Sequence, residues 1–365
     1  MKVALIQDWF VVNGGAEKVF REFIHIFPDA DVFGLVDFLD DKDRSEILNG
    51  KKVKTTWIQK VPNARNSFRN YLVFFPHAVR SLDLSGYDLI ISSSYAVAKG
   101  VRKSKGQLHI CYCHSPVRYA WDLRQDYLSR LSGLKRAIAG LMLDHIARWD
   151  LKTIGEVDHF IANSKNVAER IKRIYNRDST VIYPPVDIIG FSPYYEKEDY
   201  YFTSLRVVPY KRLDLIVDAF RLMPDKKLVV SGDGPALAKI RASAPPNVEF
   251  LGFISKNDLV SRVQKAKAYV LAAEEDFGIT SLEAQSCLTP VIALKRGGYL
   301  ETVVENKTGV FFNEQTADSM REAIMKFEEI DKPFEEIDFT KNVESFSTER
   351  FRNSISTFIR QHAHA

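Results

Sequence analysis

Only three cysteines occur among the 365 residues, at 111, 113 and 287. That is too few for a disulfide-stapled secreted scaffold. Cys111-Tyr-Cys113 lies near His109 and His114, but no second ligand pair follows at zinc-site spacing, so no metal is expected. Long apolar runs are also missing. None approaches the roughly 18 residues that a membrane-spanning helix requires, and the opening MKVALIQDWF is a short strand-like run rather than a secretion signal. A cytoplasmic protein is expected, free or peripheral on the inner face of the cytoplasmic membrane. Acidic residues are absent between 51 and 80, where Lys51, Lys52, Lys54, Lys60, Arg65, Arg69 and Arg80 are interleaved with Trp57, Phe68, Tyr71, Phe74 and Phe75.

What is present is unevenly charged. Residues 1–180 carry 28 Lys and Arg against 20 Asp and Glu, whereas the remainder carries 23 against 27. A second basic-flanked segment, GLKRAIAGLMLDHIARW, has amphipathic spacing. Basic residues mixed with aromatic ones suit an anionic bilayer surface, and equally a solvated face over an ordinary core. Nucleic acid is not expected as a partner, since no base-reading motif is visible and the acidic second half repels phosphate. The 45% hydrophobic content is enough for sizeable cores.

Short β-branched runs alternate with helical patterns, which predicts an α/β architecture of parallel sheets covered by helices. KVALIQD, DVFGLV, DLIISSS, LHICYCH and HFIANS read as strands of a first domain, residues 1–185. Pro184-Pro185 reads as a hinge. YYFTSLR, KLVVSGDG, VEFLGF, AYVLAA and PVIAL read as strands of a second domain, residues 186–345. Two Rossmann-like, doubly wound sheets then face a cleft, with ligands at the carboxyl ends of the strands. Residues 346–365 read as a terminal amphipathic helix packing back toward the first domain, with the closing HAHA disordered.

Four segments carry candidate chemistry. At Asn13-Gly14-Gly15-Ala16-Glu17 two glycines at a helix mouth let backbone amides approach an anion. In LRVVPYKR, Arg206 follows a strand end, and Lys211 stands where a helix begins, a position at which a cation invites an anion. GDGP at 232–235 reads as a turn with proline at a first helical position. In EEDFGITSLEAQ, Glu275 and Glu283 are eight positions apart across a turn at Phe277-Gly278. A helix from about Ile279 to Gln285 aims the amides of Gly278, Ile279 and Thr280 at a phosphate. Carboxylates accept paired hydrogen bonds from vicinal diols, so Glu275 suits a sugar and Glu283 a ribose. The pattern describes a sugar nucleotide. A plain solvated helix start explains Asp276 well and Glu283 poorly.

EDFGITSLEA, with its eight-residue glutamate step, resembles the E-x7-E motif of retaining glycosyltransferases of family 4, which have the GT-B fold. The resemblance spans nearly the whole chain: GGAEKV, LRVVPYKRLDLIVDAF, SGDGP, VEFLGFIS and PVIALKRGGYLETVVENKTGVFF follow in the family's order. Thr289 stands where the family usually has glycine before Pro-Val. CYCHSPVRYAWDL is similar to the bacterial O-antigen and capsule mannosyltransferases of this family. That likeness implies that His114 lines the donor sugar pocket, and that Arg118, Tyr119 and Trp121 border the acceptor side. Asn163-Ser164 reads as the cap of the helix that follows.

The resemblance implies transfer of mannose from GDP-mannose to a hydroxyl of a glycan or lipid-linked acceptor in surface polysaccharide synthesis. It implies no metal, and the loops assigned to the site contain no D-x-D or ligand cluster. Arg206, Lys211 and the helix amides then take the cation's place at the leaving diphosphate. UDP-glucose or UDP-N-acetylglucosamine as donor remains open. A sugar-nucleotide 2-epimerase needs acid–base groups that this pattern does not supply. A silent sugar-nucleotide-binding subunit does not require Arg206, Lys211, Glu275 and Glu283 all to be intact.

Overall fold

The computed structural model describes residues 1–363 except 130, 187, 189 and 331–333. The chain folds as two compact units, Met1–Pro185 with Thr348–Ala365, and Val186–Ser347.

The first unit contains a seven-stranded parallel sheet: β1 (Val3–Gln7), β2 (Asp31–Gly34), β3 (Val53–Thr55), β4 (Leu89–Ser94), β5 (Leu108–Cys113), β6 (His159–Ala162) and β7 (Ser179–Val181). Their spatial order is β3-β2-β1-β4-β5-β6-β7. The second unit holds a six-stranded parallel sheet: β8 (Tyr201–Ser204), β9 (Leu228–Ser231), β10 (Val248–Gly252), β11 (Ala268–Leu271), β12 (Val291–Leu294) and β13 (Gly309–Phe312), ordered β10-β9-β8-β11-β12-β13. Both sheets are doubly wound, as expected. Strand order reverses at β1/β4 and at β8/β11, the switch points beside which such sheets bind ligands.

β1 shows why the pattern folds this way. Every residue of VALIQ is buried, because helices cover both faces of a parallel sheet. Val3 and Leu5 join Phe20, Phe23, Phe351 and Ile355 on one face. Ala4 and Ile6 join Phe68, Phe75 and Val97 on the other. Helix Thr348–Ala363 lies within this unit: Phe351 packs edge-on against Phe23 and Tyr112, and the Arg352 guanidinium donates to Glu22 at 2.6 Å. His362 and Ala363 are helical rather than disordered; His364 and Ala365 lie outside the described residues. Ser164 caps helix Lys165–Tyr175 by accepting from the Val167 amide.

Three strands escaped the sequence reading. β3 and β7 are three-residue edge strands, β3 within the basic stretch, and β13 is the GVFF run. The family glycine assigned to position 289 is also corrected. Leu288 holds the left-handed conformation, φ 57°, where glycine is favoured. Thr289 is buried, its hydroxyl donating to Val263 O at 2.7 Å and accepting from Lys197 Nζ at 2.8 Å.

Candidate active site

In the second unit, the loops after β8 and β11 flank the switch point. Arg206 and Lys211 ride on the first, and Glu274 to Gly278 form the second. The first is held by backbone pairing, Val207 N–H to Asp233 O at 2.9 Å and Ala236 N–H to Val207 O at 3.3 Å. GDGP is therefore part of the support for the Arg206 loop and more than a turn. Arg206 itself is exposed. Lys211 closes a 3-10 turn, Pro209–Lys211, two residues before helix Leu213–Arg221. The sequence placed it at that helix's start. Its anion is Glu275, whose Oε1 accepts from Lys211 Nζ, both side chains being mostly shielded from solvent.

The Glu275 loop is set by close backbone approach. Gly297 (φ 65°) and Gly298 lie directly beneath it. A Cβ on Gly298 would fall 2.3 Å from Phe277 Cα, and one on Gly297 2.4 Å from Glu275 O. The contact is locked by Gly298 N–H donating to Glu275 O at 2.8 Å. Gly278 (φ 92°) then turns the chain into helix Ile279–Ser286 over the buried Tyr299 ring, where a Cβ would meet Tyr299 Cε1 at 2.6 Å. The amides of Gly278, Ile279 and Thr280 have no acceptor among the described residues, which leaves three donors at a helix N-terminus for an anion. Phe277 is corrected in one respect: its ring is buried edge-on against Phe346 at 5.4 Å, so only its backbone is left to face a ligand. Glu283 is half-buried one helical turn inside, close enough for its charge to raise the Tyr269 hydroxyl's pKa alongside burial. Thus the structure brings Lys211, Glu275 and the three amides onto adjoining loops.

In the first unit, Asp8 directly follows β1 and is fully buried. Its carboxylate accepts four amide bonds, from Tyr95, Ala96, Val97 and Ala98, at 2.6–2.9 Å. It thereby ties the loop after β1 to the turn after β4. Gly14 and Gly15 open helix Gly15–Ile26. The Gly14 amide, read from the sequence as an anion donor, already donates to Glu17 Oε2 at 3.1 Å, so the loop's donor is the Gly15 amide. Glu17 is buried, and desolvation raises its carboxyl to about 7, against bonds from Gln7 and Gly14.

His114 follows β5, with Nε2 2.8 Å from Ser93 Oγ and its ring edge-on to Tyr95 and Tyr112. Burial lowers its pKa to about 3, so the imidazole is neutral. Arg118 is half-buried nearby in sequence, and the Tyr119 hydroxyl is a buried polar atom without a hydrogen-bond partner. Trp121 is half-buried and tied to the interior through its indole N–H. Its Nε1 donates to Asp150 at 2.8 Å, an interior carboxylate that also binds Lys99 and Tyr175. Asp8, Glu17, Tyr299 and the Gly297-Gly298 pair had no role from sequence. Glu17 and Tyr299 stood inside the GGAEKV and KRGGYLE segments, whose order was the only available signal.

Among the described residues no cluster of three or more His, Cys, Asp or Glu is arranged to hold a metal, and no helix is long and apolar enough to cross a membrane.

Comparison with known proteins agrees with this geometry. The profile for glycosyl transferases group 1 matches residues 187–342, and that for Glycosyltransferase Family 4 matches residues 13–188. A D-inositol 3-phosphate glycosyltransferase from Mycobacterium sp. (strain JLS) is 30% identical over 187 residues, covering 43% of this chain and 42% of the relative. A GDP-mannose-dependent monoacylated alpha-(1-6)-phosphatidylinositol monomannoside mannosyltransferase from Corynebacterium glutamicum is 27% identical, covering 49% and 55%. The chain thus spans about half the length of the curated relatives it matches. Anabaena HepE in complex with UDP superposes with a TM-score of 0.72 at 17% identity, covering 99% of this chain and 100% of that one, which shows a shared fold. With the two profiles together accounting for residues 13–342, the chain belongs to glycosyltransferase family 4 and has the GT-B fold.

Proposed function

We propose that this glycosyltransferase moves mannose from GDP-mannose to a hydroxyl of a lipid-linked glycan, with retention at the anomeric carbon. The observation that carries the reading is the Lys211–Glu275 pair beside three unpartnered amides at a helix N-terminus. Diphosphate oxygens on those amides lie next to a cation. Glu275, already oriented by Lys211 and by the Gly298 amide, accepts from sugar hydroxyls, and Glu283 accepts from the ribose diol.

As the glycosidic carbon–oxygen bond to the diphosphate breaks, negative charge grows on the leaving GDP. Arg206, Lys211 and the amides stabilise it electrostatically. The acceptor oxygen attacks the anomeric carbon from the face the diphosphate leaves, and the acceptor's proton passes to the departing phosphate oxygen. His114, neutral, offers a hydrogen bond to a sugar hydroxyl rather than a charge. The reading assigns no metal to these steps, so a chelator should leave the rate unchanged.

A UDP-sugar donor is the second reading, supported by the UDP held in the HepE complex. A thermal-shift panel of GDP, UDP, GDP-mannose, UDP-glucose and UDP-N-acetylglucosamine separates the two through ligand-linked stability. GDP-mannose is expected to give the largest rise, and selective stabilisation by a uridine nucleotide overturns the mannose assignment. Release of GDP stimulated by a lipid-linked mannoside then tests transfer. No turnover of any sugar nucleotide favours a silent subunit.

A further inference from the structure

In the first unit, two segments far apart in sequence touch each other and carry exposed apolar side chains. The turns Trp57–Lys60, Ala64–Ser67 and Phe68–Phe74 follow one another. The last packs on helix Gly133–Lys152, where Leu72 shares a cluster with Val117, Ala120, Ile146 and Ala147. That helix is anchored through its second half, by Leu143, Ile146 and Asp150, while residues 133–138 are exposed throughout. Leu134 is 76% exposed, Ile138 49% and Leu141 68%, and their spacing puts them on one helical face. On the packed turns Trp57 and Phe74 are also exposed, ring centroids 6.3 Å apart. Five exposed cations accompany these residues: Lys60, Arg65, Arg69, Lys135 and Arg136. None is paired with a carboxylate among the described residues, and no acid occurs in residues 51–80 or 127–143.

Charge selects the occupant. Large apolar side chains grouped along one helical face, as Leu134, Ile138 and Leu141 are, and left exposed to water mark a contact surface. Two copies meeting here would set cations against cations, whereas anionic lipid phosphates complement them. Trp and Phe favour the interfacial layer of a bilayer, and leucines reach the acyl boundary beneath it. We propose that this face docks the protein on an anionic lipid bilayer, with Trp57, Phe74, Leu134, Ile138 and Leu141 entering the interface and the five cations against lipid phosphates. The assignment deepens the proposed function and rests on it only for the lipid-carried acceptor such docking would serve.

The test is sedimentation of the full chain with phosphatidylcholine vesicles containing about 30% phosphatidylglycerol, beside phosphatidylcholine alone. Binding is expected on the anionic vesicles, at least about tenfold weaker on neutral ones, and reduced by salt. Leu134→Ser with Leu141→Ser should lower anionic-vesicle binding about tenfold or more, with an unchanged melting temperature and unchanged donor turnover in solution. Arg65→Glu with Lys135→Glu should do the same. Equal binding to both vesicle types, no binding, or an unaffected leucine double variant overturns the proposal. So does a concentration-dependent dimer that the leucine substitutions abolish, which would assign the face to a second copy. Vesicle binding without turnover of any sugar nucleotide removes the proposed reaction and leaves the docking face standing.

Discussion

Gly298 donates its amide hydrogen to the carbonyl of Glu275 at 2.8 Å, with no room for a Cβ between them and the neighbouring Phe277 backbone. The acidic loop's position is therefore set by a residue 23 positions downstream. Gly298→Ala is expected to push that loop away and to lower kcat/KM for the donor by on the order of a hundredfold, as displacements near 1 Å do. Circular dichroism should show the fold retained. A variant with wild-type kinetics would refute the coupling.

Lys211 and Glu275 are expected to act as a unit. Each alanine variant should lose on the order of a hundredfold or more in transfer. The double variant should lose far less than the product, because each single change strands the other's charge. Glu283→Ala should mainly raise the donor KM. Fully multiplicative losses in the double variant would show that the pair seen here is unrelated to turnover.

Glu17 makes stability depend on pH. Its carboxyl titrates near 7 in the fold, against an ordinary 4.5. Between those values the folded protein keeps a proton that the unfolded chain releases, so stability falls as pH rises through that window. The loss is absent below about pH 4.5 and reaches about 3 kcal/mol at most above about pH 7. Glu17→Gln removes the charge. In urea melts its advantage over wild type should grow from near zero at about pH 4 to its maximum by about pH 8. Parallel pH profiles would contradict the assignment.

Leu288 and Thr289 should respond oppositely to glycine. Leu288→Gly relieves a left-handed residue and is expected to add up to about 1 kcal/mol of stability. Thr289→Gly removes the hydroxyl that bridges Lys197 and Val263, at a cost of about 1–3 kcal/mol. Equal effects in thermal melts would undo the relocation of the glycine position.

The sequence carried the helix of the glutamate segment closely, since Gly278 ends a polar loop and an apolar run follows. Expected to begin near Ile279 and end at Gln285, it spans Ile279–Ser286. The buried strands were legible for the same reason: continuous apolar runs such as VALIQ have few other uses. β3 was not, because an edge strand half open to water tolerates VKT with no hydrophobic signature. The loops of the candidate site could be placed at strand ends from local pattern. What holds them could not. Asp8 binds a turn nearly ninety residues away, and Tyr299 lies under a glycine whose neighbours give no hint of a ring below. The Gly14 amide shows the reverse error, for a glycine-rich helix mouth suggests free donors until the carboxylate three residues on takes one.

The chain leaves the first compact unit at Pro185 and re-enters it at Thr348, and the returning helix supplies Phe351 and Ile355 to the core around Phe23. A single crossover between this gene and a relative would therefore give a hybrid whose amino-terminal half carries a foreign closing helix. Exchanging the second unit by recombination requires two junctions, which makes residues 186–347 the natural cassette.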